Sequence, residues 1–478
     1  MALMKSILLG SAAGIVAVAA AQAADLPTRK AAPAEYVRIC NVGGMAGWIL
    51  PGSDTCVKLS GYIVGQFTFG SISTGYGGVY SAAAIPVSPG HSVAGGSPLL
   101  GAVVPTFSRP ETGFDMRTNI DLDVRQDTAY GVLRGYADIQ ADVSNGYAAL
   151  QGGFPVNATQ GGSNNVFYVN RAYLQWAGLT IGKANSFFSF YGGGEAWNNV
   201  FSPDRQGYNQ PLLFAYTATF GGGFSATISA ESAYGVGPSG GGTNFNQIGG
   251  YLYEGERYPD FVAALRVDQG WGAAQISGVL HHVGVTETVD TLGARQDTWG
   301  WAINGGVKFN LPTFGPGDNF QAQATYSRNA MWYSGLPDGM WGEMGQVGGN
   351  GIAMPGADTY YYINAAGVGV WAAPSAWSVS ATMEHHFSPV FSFDPEFAYG
   401  EIHWSSTGGT ISPNAQSFLV GGVFHWDPVP HLDFELELLY QNTHQTTPSL
   451  YSAAANGGIA FPNTSDGFAG RFQVTRDF

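Results

Sequence analysis

Apolar and polar residues alternate with a period of two along most of this chain, the pattern of β-strands with two chemically different faces. From 57 to 69, Val57, Leu59, Ile63, Phe67 and Phe69 share one face, opposite Lys58, Ser60, Tyr62, Gln66 and Thr68. From 114 to 125, Met116, Thr118, Ile120, Leu122 and Val124 alternate with Arg117, Asn119, Asp121, Asp123 and Arg125. Gly131–Val143 repeats the design, with Leu133, Ala137, Ile139 and Val143 against Arg134, Tyr136, Asp138, Gln140 and Asp142. The same reading predicts strands over Val166–Trp176, Leu179–Phe187, Leu213–Phe220, Phe224–Tyr234, Phe261–Val267, Trp271–His281 and Trp299–Phe309. It continues over Asn319–Ser327, Trp377–Glu384, Phe391–Tyr399, Ser417–Trp426, Leu432–Tyr440 and Phe468–Phe478, sixteen strands in all.

Short connectors such as Ala177–Gly178 and Asp268–Gly270 interleave with long ones such as Gly70–Gly113 and Arg328–Ala376. That alternation marks an up-and-down barrel with tight turns at one end and long loops at the other. An even strand count brings the first and last strands together, and their pairing removes the sheet edges.

Alternation alone does not say which face meets water, because a secreted β-sandwich and a membrane barrel use it in opposite senses. Three features favour the membrane. Aromatic residues recur near strand ends (Trp176, Phe220, Trp299, Trp301, Phe309, Trp426), as interfacial girdles require. Small residues such as Gly65, Gly135, Ala322 and Gly422 share the apolar face, and the chain ends in a strand closing on aromatic Phe478.

Composition fits this picture. Charged residues are only 11% of the 478, while there are 70 Gly and 14% aromatics. Mean hydropathy is +0.00, the average expected of a wall with one lipid-facing and one water-facing side. Lys+Arg number 19 against 34 Asp+Glu, a net charge of −15 that argues against nucleic-acid binding.

Lys5, the apolar stretch Ile7–Ala21 and the exit Ala21-Gln22-Ala23 predict a signal peptide over 1–23, cleaved after Ala23. Beyond it no apolar run of about 18 residues exists, so any membrane crossing is by strands. The expected organisation is signal peptide 1–23, an N-terminal periplasmic segment 24–56 and a barrel over 57–478. Cys40 and Cys56 are the only cysteines. The exported compartment permits a disulfide between them, worth roughly 3 kcal/mol in the chain-entropy model, with two free thiols as the alternative.

Ala24-Asp25-Leu26-Pro27, Glu35-Tyr36-Val37-Arg38-Ile39-Cys40, Pro51-Gly52-Ser53-Asp54-Thr55-Cys56 and Leu59-Ser60-Gly61-Tyr62 form a familiar set. So do Leu179–Phe188, with Gly182-Lys183 at its centre, and the terminal Thr475-Arg476-Asp477-Phe478. Together these resemble the alphaproteobacterial general porins of the Rhizobiales type. The resemblance implies a homotrimeric, 16-stranded outer-membrane porin whose third outer loop folds inward to narrow a passive diffusion channel. The expected partners are a second and third copy of the chain, outer-membrane lipid and lipopolysaccharide, the barrel-assembly machinery through Phe478, and small hydrophilic solutes and ions.

On the strand plan the third outer loop, Phe188–Leu212, carries Glu195, Asp204 and Arg205. Arg117, Arg134 and Arg171 face inward from consecutive strands, with Lys58 on the first strand and Arg471 on the last. These cations are expected to form one side of a constriction and Glu195 with Asp204 the other, producing a transverse field. The alternative is that Asp121, Asp123, Asp138 and Asp142 neutralise the arginines. Asp433, Glu435 and Glu437 alternate along a late strand near Asp394 and Glu396, a spacing that describes lumen-facing carboxylates better than a paired-carboxylate enzyme or a Ca²⁺ site. Gly237–Gly241 satisfies G-x-S-x-G but lies in a glycine-rich loop, and Gly178–Lys183 is too short for a phosphate-binding loop. His281-His282 and His385-His386 are adjacent strand residues pointing opposite ways. No catalytic residue, cofactor or metal is expected. The competing readings are a solute-selective porin or receptor, and a secreted all-β binding protein.

Overall fold

The computed structural model describes residues 38–70, 112–146, 164–191, 210–233, 256–287, 295–335, 358, 368–404, 414–446 and 464–478, with short strand pieces in some of the remaining loops. Sixteen antiparallel strands form the wall. They are β1 (Cys56–Gly70), β2 (Thr112–Thr128), β3 (Gly131–Ser144), β4 (Asn164–Trp176), β5 (Leu179–Lys183), β6 (Leu212–Gly221), β7 (Phe224–Glu231) and β8 (Asp260–Gln269). They continue as β9 (Gly272–Glu287), β10 (Arg295–Asn310), β11 (Asn319–Arg328), β12 (Ser375–Ser388), β13 (Phe391–His403), β14 (Ala415–Val429), β15 (Leu432–Gln445) and β16 (Thr464–Asp477).

Each strand pairs with its successor, and β16 returns to β1 from Ala469↔Gly70 to Asp477↔Tyr62. Phe478 finishes the seam: its N–H donates to the Gly61 carbonyl at 2.9 Å and its carbonyl accepts from the Gly61 N–H at 3.1 Å. No ladder edge is left along this seam, the condition for strands in hydrocarbon.

Burial is inverted relative to a soluble protein. Phe167 is 74% exposed and Ile228 66%, whereas Asp138 and Glu437 are 0% exposed. Apolar residues therefore form the outer surface and polar ones the inner. Exposed aromatics mark two belts, Phe114, Phe214, Phe261 and Trp299 at the long-loop end, and Trp176, Phe220, Phe309 and Trp426 at the short-turn end.

The wall differs from the sequence pattern in three places. The segment before Val57 contains a hairpin, Ile39–Val42 paired with Met45–Ile49, whose second arm joins β1 through Trp48↔Val57. Gly43 and Gly44 both have positive φ, the left-handed pair that a tight two-residue turn requires. Cys40 and Cys56 are disulfide-bonded, tying this hairpin to the first residue of β1. β5 stops at Lys183 instead of running to Phe187. Gly182 also has a positive φ, and a Cβ there would lie 2.3 Å from the Ala172 carbonyl oxygen. Only glycine therefore fits this close approach, one residue before the strand ends. In β4 a bulge between Val169 and Arg171 lets both Asn170 and Arg171 reach Asp138, the re-aiming of side chains that an extra residue in one strand produces.

Candidate functional site: the charged lumen and its inner loops

The arginines of β2–β4 project inward on one sector and are paired with carboxylates of the same wall. Arg117 Nε donates to Asp142 Oδ1 at 2.6 Å. Arg134 Nη2 and Arg125 Nη2 both reach Asp123 Oδ2, at 2.8 and 2.9 Å. Arg171 Nε and Nη2 converge on Asp138 Oδ2 at 2.9 and 2.8 Å. Antiparallel register sets these pairs, since Arg117 lies opposite Asp142 and Arg171 opposite Asp138. Tyr136 stacks between guanidinium groups, 5.0 Å from Arg134 and 5.7 Å from Arg171. The ring's attraction for both cations fixes their planes. About a third of the Arg117 and Arg171 side chains stays exposed, at 33% and 34%. The result is a ladder of alternating charge that presents guanidinium edges while its carboxylates are buried.

Lys58 is exposed on β1, opposite Asp123 in register. Arg471 stands apart: it is 1% exposed and bonded to Glu437 of β15, so its charge is spent within the wall. Glu195, Asp204 and Arg205 lie outside the described residues.

The described start of the third loop runs along the inside of the barrel. Ser277 Oγ donates to the Phe188 carbonyl at 2.5 Å, and Gln275 Nε2 lies 3.3 Å from the carbonyls of Phe187, Phe188 and Ser189. Arg266 Nη1 donates to the Phe190 carbonyl at 3.2 Å. Phe190 lies over Gly306 of β10, where a Cβ would come within 2.2 Å of its ring, so the absent side chain makes the seat. Phe187 N–H donates to Glu231 Oε1 at 3.1 Å. The lumen faces of β8–β10 thus hold this loop, six strands round the ring from β3.

A second loop enters from the opposite flank. The 3₁₀ turn Met331–Ser334 follows β11 and is buried at all four residues. Tyr333 packs edge-on to Phe188, with ring centroids 4.7 Å apart, in a cluster with Val262, Val279, Ala302 and Ala330. Its hydroxyl donates to Asp260 Oδ2 at 2.5 Å. His281 bridges Asp260 and Asp358, at 2.7 Å through Nδ1 and 3.2 Å through Nε2. Asp358 in turn accepts the Met331 N–H at 2.6 Å. Burial pushes the Tyr333 phenol well above its ordinary range, and the Asp260 carboxylate adds to this. Burial likewise raises Asp358, with the His281 imidazole opposing.

Sequence reasoning missed Asp260, Tyr333 and Asp358 and treated His281 only as one of a histidine pair. The pair does split: His281 points into the lumen, while His282 faces outward, 5.1 Å from the Trp299 ring. The available signal was Met331-Trp332-Tyr333, an apolar triplet in a glycine-rich connector.

Among known proteins, a family model described as "Porin subfamily" matches residues 25–467. The chain is 27% identical over 418 residues to porin Omp2b of Brucella suis, covering 84% of this chain and 95% of that one. It is 28% identical over 420 residues to porin Omp2b of Brucella canis, with the same coverage. Among solved structures it resembles the outer membrane channel DcaP of Acinetobacter baumannii, with TM-score 0.54 and 13% identity over 90% of this chain and 99% of that one.

Proposed function

We infer the working of the lumen from one premise: this chain belongs to the porin subfamily. It is an outer-membrane β-barrel that forms a water-filled channel for small hydrophilic solutes and ions. The observation that carries the mechanism is a polar inner wall with loop segments folded against it. Solutes pass by diffusion, and selection rests on the width left by those loops and on the field across it. The chemistry is that of a channel, with no bond made or broken.

Lys58, Arg117, Arg134 and Arg171 form the cationic side of the constriction. Glu195 and Asp204, with Arg205, belong to the loop anchored across the lumen and form the other side. Pairing with Asp123, Asp138 and Asp142 weakens the wall's positive field and fixes its direction. Dipolar solutes align in such a field, while apolar ones must displace the water it orients and offer nothing in its place. Arg471 serves the wall, not the constriction. The mature chain, cleaved after Ala23, assembles as a homotrimer in contact with lipopolysaccharide, and its terminal Phe478 is the handle for the barrel-assembly machinery.

Reversal potentials in a KCl gradient test this reading. Arg117→Gln with Arg134→Gln is expected to move selectivity toward cations, and Glu195→Gln with Asp204→Asn toward anions. Unchanged selectivity and conductance in both would reject the transverse-field reading.

A further inference from the structure

The inner faces of β13–β15, near their short-turn ends, hold a histidine–carboxylate cluster distinct from the arginine ladder and the loop anchors. His425 Nδ1 lies 2.9 Å from Asp433 Oδ2, and its Nε2 lies 3.5 Å from Asp394 Oδ2. Glu435 is the register partner of His425 across the β14–β15 ladder, so both side chains emerge on the same side. One ligand atom each from His425, Asp433 and Glu435 falls within 4.8 Å of the others.

Two further observations separate this from an ordinary patch of lumen acids. The nearby guanidinium is already committed, because Arg471 binds Glu437 one layer deeper. Three carboxylates therefore face a single imidazole. In addition, Glu435 is only 5% exposed, and two oxygens of the proposed ligands, Glu435 Oε2 and Asp433 Oδ1, are buried without a hydrogen-bond donor. The other Glu435 oxygen is well served, by Gln473 Nε2 at 2.9 Å and Thr475 Oγ1 at 3.3 Å. A buried carboxylate oxygen lacking a donor is strongly disfavoured, and a bound cation removes the penalty for several oxygens at once.

We propose that His425, Asp433 and Glu435 bind a divalent transition-metal ion of the zinc type. An imidazole beside carboxylates suits zinc better than calcium or magnesium, which prefer all-oxygen sites. Asp394 Oδ2 lies 3.5 Å from the other imidazole nitrogen, in the place an outer carboxylate partner of a metal-bound histidine would take. The ion bridges β14 and β15 where the lumen opens at the short-turn end.

The test uses the full mature chain, stripped with a chelator in detergent and titrated with Zn²⁺ alone by calorimetry, with bound metal counted by mass spectrometry. One Zn²⁺ per chain is expected, with affinity falling at least tenfold in His425→Gln and in Asp433→Asn. His444→Gln, on an exposed histidine outside the cluster, is the control and retains full affinity. Asp433 is partly exposed, so its variant keeps the test valid if His425→Gln does not fold; heat-modifiable migration reports folding of each. Undiminished Zn²⁺ affinity in folded Asp433→Asn, or equal loss in His444→Gln, overturns the proposal.

Discussion

Replacing Phe188 with alanine is the sharpest perturbation of the inner loop. The side chain is fully buried against Val262, Val279, Ala302 and Tyr333. Removing a buried Phe side chain costs about 3–5 kcal/mol. Here the backbone anchors survive, because Ser277 and Gln275 bind the Phe188 carbonyl and not its ring. The loss therefore falls on docking of the loop, while the barrel's own hydrogen bonds are untouched. Taking about 3 kcal/mol for the loss, the docked-to-undocked ratio drops roughly a hundredfold, since about 1.4 kcal/mol is tenfold. Single-channel recording in planar bilayers is the assay, with Phe188→Leu as the milder companion. Phe188→Ala is expected to show higher mean conductance and more open-channel noise, with the heat-modifiable shift of the folded barrel unchanged. Wild-type conductance and noise in a folded Phe188→Ala channel would refute the claim that this ring pins the loop in the lumen.

Other consequences follow from the same geometry. Tyr333→Phe removes the hydroxyl that donates to Asp260. A buried carboxylate oxygen loses one of its donors, at a cost of about 1–3 kcal/mol. Open-channel noise should rise, less than in Phe188→Ala, and a silent variant would show that the hydroxyl does not hold the second loop. Asp318, in the turn between β10 and β11, accepts from the His386 N–H at 2.9 Å and meets His385 Nδ1 at 2.5 Å. Burial alone would raise its pKa, but these partners outweigh it and hold the carboxyl below its ordinary value. A depressed folded value means the contribution is complete above the unfolded carboxyl range and lost as pH falls through the folded value. Thermal unfolding should therefore show an acid-side loss of stability, below about pH 4, that is smaller in Asp318→Asn; identical acid profiles would count against the turn lock.

The sixteen spans were legible because each strand meets two solvents, which forces alternation on every strand whatever its neighbours do. The arginine ladder was half legible: parity placed Arg117, Arg134 and Arg171 inward, but their carboxylate partners depend on cross-strand register. Arg471 shows the difference. Its inward direction follows from parity, while its burial against Glu437 comes from a neighbouring strand. The inner loops obey no period, so neither Phe188's departure from the wall nor the insertion of Tyr333 announces itself in the pattern. Gly182 marks the departure only once the approach of the Ala172 carbonyl is known. The hairpin before β1 has arms too short for alternation to register, although Gly43-Gly44 is the turn signal it needed.

The closed barrel encloses water that carries ions. Insertion of the purified, folded chain into a planar lipid bilayer is the decisive measurement. Discrete conductance steps, rising in proportion to salt concentration, are the predicted result. A folded barrel that inserts and passes no current would contradict it.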